Sequence, residues 1–85
     1  MRYSVDFTSS AAREFKALDP QFRRRIGEKI TALCDEPFPS GSKKLKGQAD
    51  HFRIRVGDFR VVYRIDGKRM VVVIVRIGHR KEVYR

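Results

Sequence analysis

The stretch Phe52-Arg-Ile-Arg-Val-Gly-Asp-Phe-Arg-Val-Val-Tyr-Arg-Ile65 decides the fold. Its first five residues alternate apolar and basic, as a strand with one buried face does. Gly57-Asp58 reads as a two-residue turn and Phe59 to Ile65 as the returning strand. Such a turn fixes the register. Val56 stands opposite Phe59, Arg55 opposite Arg60, Ile54 opposite Val61 and Arg53 opposite Val62. Directly opposed residues share a face. Phe52, Ile54, Val56, Phe59, Val61, Tyr63 and Ile65 therefore make an apolar face for helices to cover, and Arg53, Arg55, Arg60 and Arg64 share the other.

Downstream, Asp66-Gly67 is a second tight-hairpin signal, and Lys68 to Ile77 is a β-branched run apolar on both faces, hence an interior strand. Gly78 is expected to break that strand and turn the chain over the arginine face, bringing His79, Arg80 and Tyr84 near it. Upstream, Tyr3-Ser-Val-Asp-Phe7 alternates as a first strand with Tyr3, Val5 and Phe7 on one side. Thr8, Ser9 and Ser10 offer N-caps to a helix whose apolar side is Ala11, Ala12, Phe15 and Leu18. Asp19-Pro20 restarts the chain, with Asp capping and Pro at the first helical position. Phe22, Ile26, Ile30, Leu33 and Cys34 follow at helical spacing, so the second helix lies beside the first as a hairpin. Pro37, Pro39 and Gly41 end it in a loop running into Lys43-Lys44-Leu45-Lys46-Gly47. The order β-α-α-β-β-β makes a single α+β domain over residues 1–85, a helical hairpin packed on a small, mainly antiparallel sheet.

Composition narrows the function. The 85 residues carry 20 Lys+Arg against 10 Asp+Glu, a formal charge of +10, with most of the excess after Leu45. A domain this basic repels itself, and its charge suits an anionic partner, nucleic acid first and an acidic protein as well. The basic residues fall on alternating strands and not along one amphipathic helix, which argues against a membrane surface. No apolar run is long enough to span a bilayer, and the N-terminus shows no signal-peptide pattern. The single cysteine, Cys34, excludes an internal disulfide and any multi-cysteine zinc site. These features point to a cytoplasmic protein.

Two arginines set directly opposite each other, Arg55 and Arg60, cost several tenths of a kcal/mol. An ordinary solvated face would alternate signs, whereas this strand pair offers no carboxylate there. The pattern favours an anion-binding platform, and the planar guanidinium fork suits phosphate. The chain has no Ser-His-Asp set, no glycine-rich phosphate loop and no metal-ligand spacing. His51 and His79 with scattered acids do not make a metal site, so no cofactor is expected.

Taken in order, Tyr3-Ser-Val-Asp-Phe7, the helical hairpin, Lys44-Leu45-Lys46-Gly47, Phe52-Arg-Ile-Arg-Val56, Gly57-Asp58-Phe59-Arg60-Val61-Val62-Tyr63 and Arg76-Ile-Gly-His-Arg-Lys-Glu-Val-Tyr84 resemble a RelE-type toxin of the RelE/ParE toxin–antitoxin superfamily over nearly the whole length. The resemblance implies a microbial-RNase-like fold and an mRNA interferase that cuts messenger RNA in the ribosomal A site. It also implies a cognate acidic antitoxin that wraps the toxin, usually encoded beside it. The catalytic pattern it implies falls on Arg53, Arg55, Arg60, Arg80 and Tyr84, with metal-free attack of a ribose 2′-hydroxyl on the adjacent phosphate. On that pattern Arg60 and Arg80 hold the phosphate, Arg53 and Arg55 position substrate and stabilise charge, and Tyr84 orients the RNA or takes part in proton transfer. Arg23, Arg24, Arg25, Lys29, Lys43, Lys44 and Lys46 are expected to face ribosomal RNA. The RelE pattern has lysines where this chain has Arg53 and Arg55. An arginine keeps its proton, so if the family's base is that lysine this chain must use something else, with Tyr84 and His79 as candidates, or let the ribosome and solvent help.

Two other classes stay open on sequence. One is a ParE-like toxin that inhibits DNA gyrase without cutting RNA. The other is a basic module that only binds, such as a degenerate toxin acting as a corepressor with its antitoxin.

Overall fold

The computed structural model describes residues 2–47 and 50–79. Among them the elements follow as β1 (Ser4–Phe7), α1 (Ser9–Lys16), α2 (Pro20–Asp35), β2 (Lys43–Lys44), β3 (His51–Val56), β4 (Phe59–Asp66) and β5 (Val71–His79). The strands form one sheet in the order β1-β5-β4-β3-β2. β1 runs parallel to β5, and the other neighbours are antiparallel. The expected α+β architecture holds, and β5 is interior, between β1 and β4. The two-residue edge strand β2 is an addition: what read as loop at Lys43-Lys44 pairs with Arg53 and Phe52. No helix among the described residues is long and apolar enough to cross a membrane.

The β3–β4 hairpin has the register that its turn dictates, from Val56 opposite Phe59 through Arg53 opposite Val62 and on to His51 opposite Arg64. Gly57 carries φ of +61°, and the positive angle falls on the first turn residue alone, the type II′ arrangement that matches strand twist. The second turn departs from expectation. Asp66 pairs with Val71, leaving Gly67 to Met70 as a four-residue connection. The Asp66 carboxylate accepts the Arg69 amide at 3.1 Å, and Met70 adopts φ of 56°, which widens the turn.

β5 differs in two ways from the sequence reading. It starts at Val71 and runs through Gly78 to His79, so Gly78 does not break it. It also carries a bulge: Tyr63 pairs with Ile74 but Val62 pairs with Arg76, leaving Val75 as the extra residue. A bulge resets the alternation of faces. Val72 and Ile74 before it, and Ile77 and His79 after it, oppose apolar-face residues of β4, while Gly78 opposes Arg60. The backbone groups beyond the end of β1 are satisfied from α1. Thr8 Oγ1 donates to the Val75 carbonyl at 2.9 Å, the Ile77 amide donates to Glu14 Oε1 at 2.7 Å, and Arg76 Nε donates to Glu14 Oε2 at 3.0 Å.

Both helices cover the apolar face. Thr8 caps α1, its hydroxyl accepting the Ala11 amide at 3.1 Å. Asp19 occupies the α2 N-cap position, yet its side chain makes no capping bond, a correction to the expected cap; Pro20 stands first in the helix. Leu18 lies past the end of α1 but packs on the core. The core joins Ala11, Ile26, Ile30 and Leu33 from the helices to Ile54, Val56, Val61, Tyr63, Val72, Ile74 and Ile77 from the sheet. Val5, on an edge strand, stays 40% exposed although Tyr3 and Phe7 pack inward. The Tyr63 hydroxyl donates to the Pro37 carbonyl at 2.8 Å and pins the chain leaving α2.

Candidate active face

The face turned away from the helices collects charge from four strands. Arg53 and Arg55 come from β3, and Arg60 and Arg64 from β4, as the turn predicts. Arg53 and Arg60 are nearly buried, at 6% and 5% exposure, while Arg55 is exposed and Arg64 half-buried. Burial first, and then the neighbouring Arg55 charge, hold the Arg53 guanidinium below the usual arginine range. Guanidinium groups so placed act with little water between them and an incoming anion, which strengthens their pull.

Three side chains join this face that its arginine pattern did not include. Lys43 on β2 stands opposite Arg53. Arg76, opposite Val62, reaches it through the bulge and is tethered by Glu14. His51 stands opposite Arg64, and its Nδ1 lies 3.0 Å from Asp50 Oδ1. The bond from His51 holds the Asp50 carboxyl below its ordinary range. His51 was legible, since extending the hairpin register by two more pairs places it opposite Arg64 with the arginines. Lys43 and Arg76 were not, because β2 and the bulge left no local signal.

A cavity of about 480 Å³ opens at the edge of β3, where β2 stops short, and brings Lys29 of α2 and Lys43 beside Arg53 and Arg55. Arg24, Arg25, Lys29, Lys43, Lys44 and Lys46 are exposed. Arg23 is corrected. It is half-buried, and its Nη2 donates to the Leu18 carbonyl at 2.9 Å, so it fastens the link between the helices and does not project outward.

His79 is corrected as well. The bulge turns it to the helix side, edge-on to Phe59 at 6.0 Å between ring centres. There it borders a separate cavity of about 360 Å³ with Phe22 and Arg25. The imidazole therefore lies across the sheet from Arg53 and Arg60 and cannot serve them as a base. Arg80 and Tyr84 lie outside the described residues.

Chemically, the arginine face suits an oxyanion such as a phosphate. It offers planar cations to non-bridging oxygens and a site where negative charge can grow without reorganising the protein.

Comparison with known proteins gives the same reading. A family profile described as the ParE toxin of the type II toxin–antitoxin system, parDE, matches residues 5–84. Toxin RelG of Mycobacterium tuberculosis is 36% identical, over 100% of this chain and 99% of that protein. The mRNA interferase toxin RelE of Escherichia coli strain K12 is 28% identical over 99% of this chain and 92% of that protein. In the crystal structure of the M. tuberculosis toxin–antitoxin complex RelBE2, a chain 35% identical superposes with a TM-score of 0.83, covering 94% of this chain and 100% of that one. An arginine-lined hairpin under a two-helix layer, matched along its whole length by such toxins, makes this chain a RelE-type toxin of the RelE/ParE superfamily.

Proposed function

We propose that the chain is the toxin of a type II toxin–antitoxin system, a ribosome-dependent mRNA interferase that stops translation in the cytoplasm by cutting messenger RNA in the A site. The observation that carries this reading is the opposed Arg55–Arg60 pair beside buried Arg53, a costly concentration of like charge that an anionic substrate offsets. In this reading Arg60 contacts the scissile phosphate, Arg53 and Arg55 position the RNA and stabilise growing charge, and Arg24, Arg25, Lys29, Lys43, Lys44 and Lys46 meet ribosomal RNA. Arg80 and Tyr84, which follow β5 in sequence, take the phosphate-binding and RNA-orienting parts that the RelE pattern gives them. The reaction is attack of the 2′-hydroxyl on the adjacent phosphorus, leaving a 2′,3′-cyclic phosphate and a 5′-hydroxyl.

The antitoxin is a small acidic protein whose segments fold onto the basic surface, as charge complementarity favours. The gyrase-poison alternative is disfavoured. The matching profile carries the ParE name, but the relatives that match at full length are RelE-type toxins, and the arginines of that pattern are present.

Primer extension on a defined messenger, with and without programmed ribosomes, tests the proposal. A cut in the A-site codon that needs ribosomes and vanishes in Arg60→Ala supports it. Growth arrest by a chain that cuts nothing, and that still arrests growth as Arg60→Ala, would overturn it.

A further inference from the structure

The cleavage chemistry calls for a general base that can take the 2′-hydroxyl proton; an arginine keeps its proton, His79 lies on the helix side of the sheet, and Tyr84 lies outside the described residues. We propose that His51, oriented by Asp50, is that general base. The inference rests on the interferase reading and adds to it a residue that the arginine–tyrosine pattern does not contain.

Three observations support the assignment. The register places His51 on the arginine face, opposite Arg64 and one alternation step from Arg53. Residues two apart on a strand lie about 6–7 Å from each other, so a phosphate over Arg53 is within side-chain reach of His51 on one side and of Arg55 on the other. Arg60, opposite Arg55, reaches the same point from β4. The His51 ring keeps 22% of its side-chain surface open, enough to meet a substrate without rearrangement. The Asp50 carboxylate at 3.0 Å from Nδ1 selects the tautomer with the proton on Nδ1, which leaves the Nε2 lone pair for the substrate. Among the described residues, the charged groups that the register places about the imidazole are Asp50 beside it, Arg53 on its own strand, Arg64 opposite on β4, and Lys43 on β2 facing Arg53.

Nε2 takes the proton of the 2′-hydroxyl as its oxygen bonds to phosphorus. The bond from phosphorus to the 5′-oxygen breaks, and that oxygen takes a proton from water. The imidazolium then returns its proton to solvent, ready for another turnover. Arg53 and Arg60 carry the charge that gathers on the non-bridging oxygens.

The test is the pH profile of single-turnover cleavage on programmed ribosomes, for wild type, His51→Gln, His51→Ala and Asp50→Asn. Wild type is expected to lose rate at acid pH as one group protonates. His51→Gln is expected to fall by roughly 100- to 10,000-fold in rate and to lose that acid limb. Its affinity for ribosomes stays within about threefold of wild type, which separates chemistry from binding. Asp50→Asn gives an intermediate loss, and added imidazole restores part of the His51→Ala rate. A His51→Gln chain that cuts at the wild-type rate with the acid limb intact overturns the assignment while leaving the interferase reading standing. A wild-type chain that cuts nothing on ribosomes overturns both.

Discussion

Combined with Arg55→Met in a double-mutant cycle, Arg60→Met separates the repulsion between the two arginines from what Arg60 does for catalysis, and the two effects have opposite signs. Arg60 is 5% exposed, stands opposite Arg55 on β3 and opposite Gly78 on β5. Met keeps the length of the apolar stem and removes the charge. Relief of the directly opposed like-charge pair is worth several tenths of a kcal/mol, read as the coupling between Arg55→Met and Arg60→Met. In a domain of this size a coupling of that magnitude moves the melting midpoint by roughly 2–4 °C. Loss of one preorganised donor to the transition-state phosphate costs about 3–4 kcal/mol of barrier, a fall of roughly 100- to 1,000-fold in rate. Circular dichroism melts of the free chain, paired with single-turnover cleavage on ribosomes, measure both quantities. A cycle that shows no repulsive coupling between Arg55 and Arg60, in an Arg60→Met chain that cleaves at a rate similar to wild type, would refute the view that this pair of charges is held at the expense of the fold for the sake of phosphate.

Other consequences are open to direct measurement. Glu14→Ala strips the partner from the Ile77 amide at the β5 bulge and should cost about 1–3 kcal/mol in urea unfolding, with Glu14→Gln recovering most of it. Burial pushes the Tyr63 phenol above its ordinary value of 10.0, with the Ser42 hydroxyl partly offsetting the rise, so its contribution to stability is complete below that value and fades as pH rises through the folded-state value. Tyr63→Phe should lose about 1 kcal/mol at neutral pH with the Pro37 bond, yet show a flatter decline in stability than wild type under alkaline conditions. Replacing Lys43, Lys44 and Lys46 together by Gln should weaken ribosome binding and reduce the slope of log affinity against log salt by roughly 2; an unchanged slope would remove these lysines from the interface.

Much of this molecule is legible in local chemistry. The Gly57-Asp58 turn has two residues and takes its positive φ at glycine, so the parity of Arg53, Arg55, Arg60 and Arg64 follows directly. The apolar spacing of Ile26, Ile30 and Leu33 likewise marks the buried side of α2. What escapes a local reading depends on distant partners. The β5 bulge is held by Thr8 and Glu14, which lie 67 and 63 residues from the groups they bind. That bulge keeps Gly78 in the strand and sends His79 to the helix side. The second turn lengthens because the Asp66 side chain captures the Arg69 amide, a contact that the Asp-Gly pair alone does not announce. Arg23 resembled its neighbours in sequence, yet the Leu18 carbonyl at the junction of the helices drew it inward.

The central claim is that an arginine face drives attack by a ribose hydroxyl on its neighbouring phosphate. Its most direct test is cleavage of a messenger bearing a single 2′-deoxy nucleotide on the 5′ side of the scissile phosphate in the A site, beside the all-ribose control. The account predicts that the control is cut to a 2′,3′-cyclic phosphate end and that the deoxy messenger survives intact in the same ribosomes. Equal cutting of both messengers would contradict it.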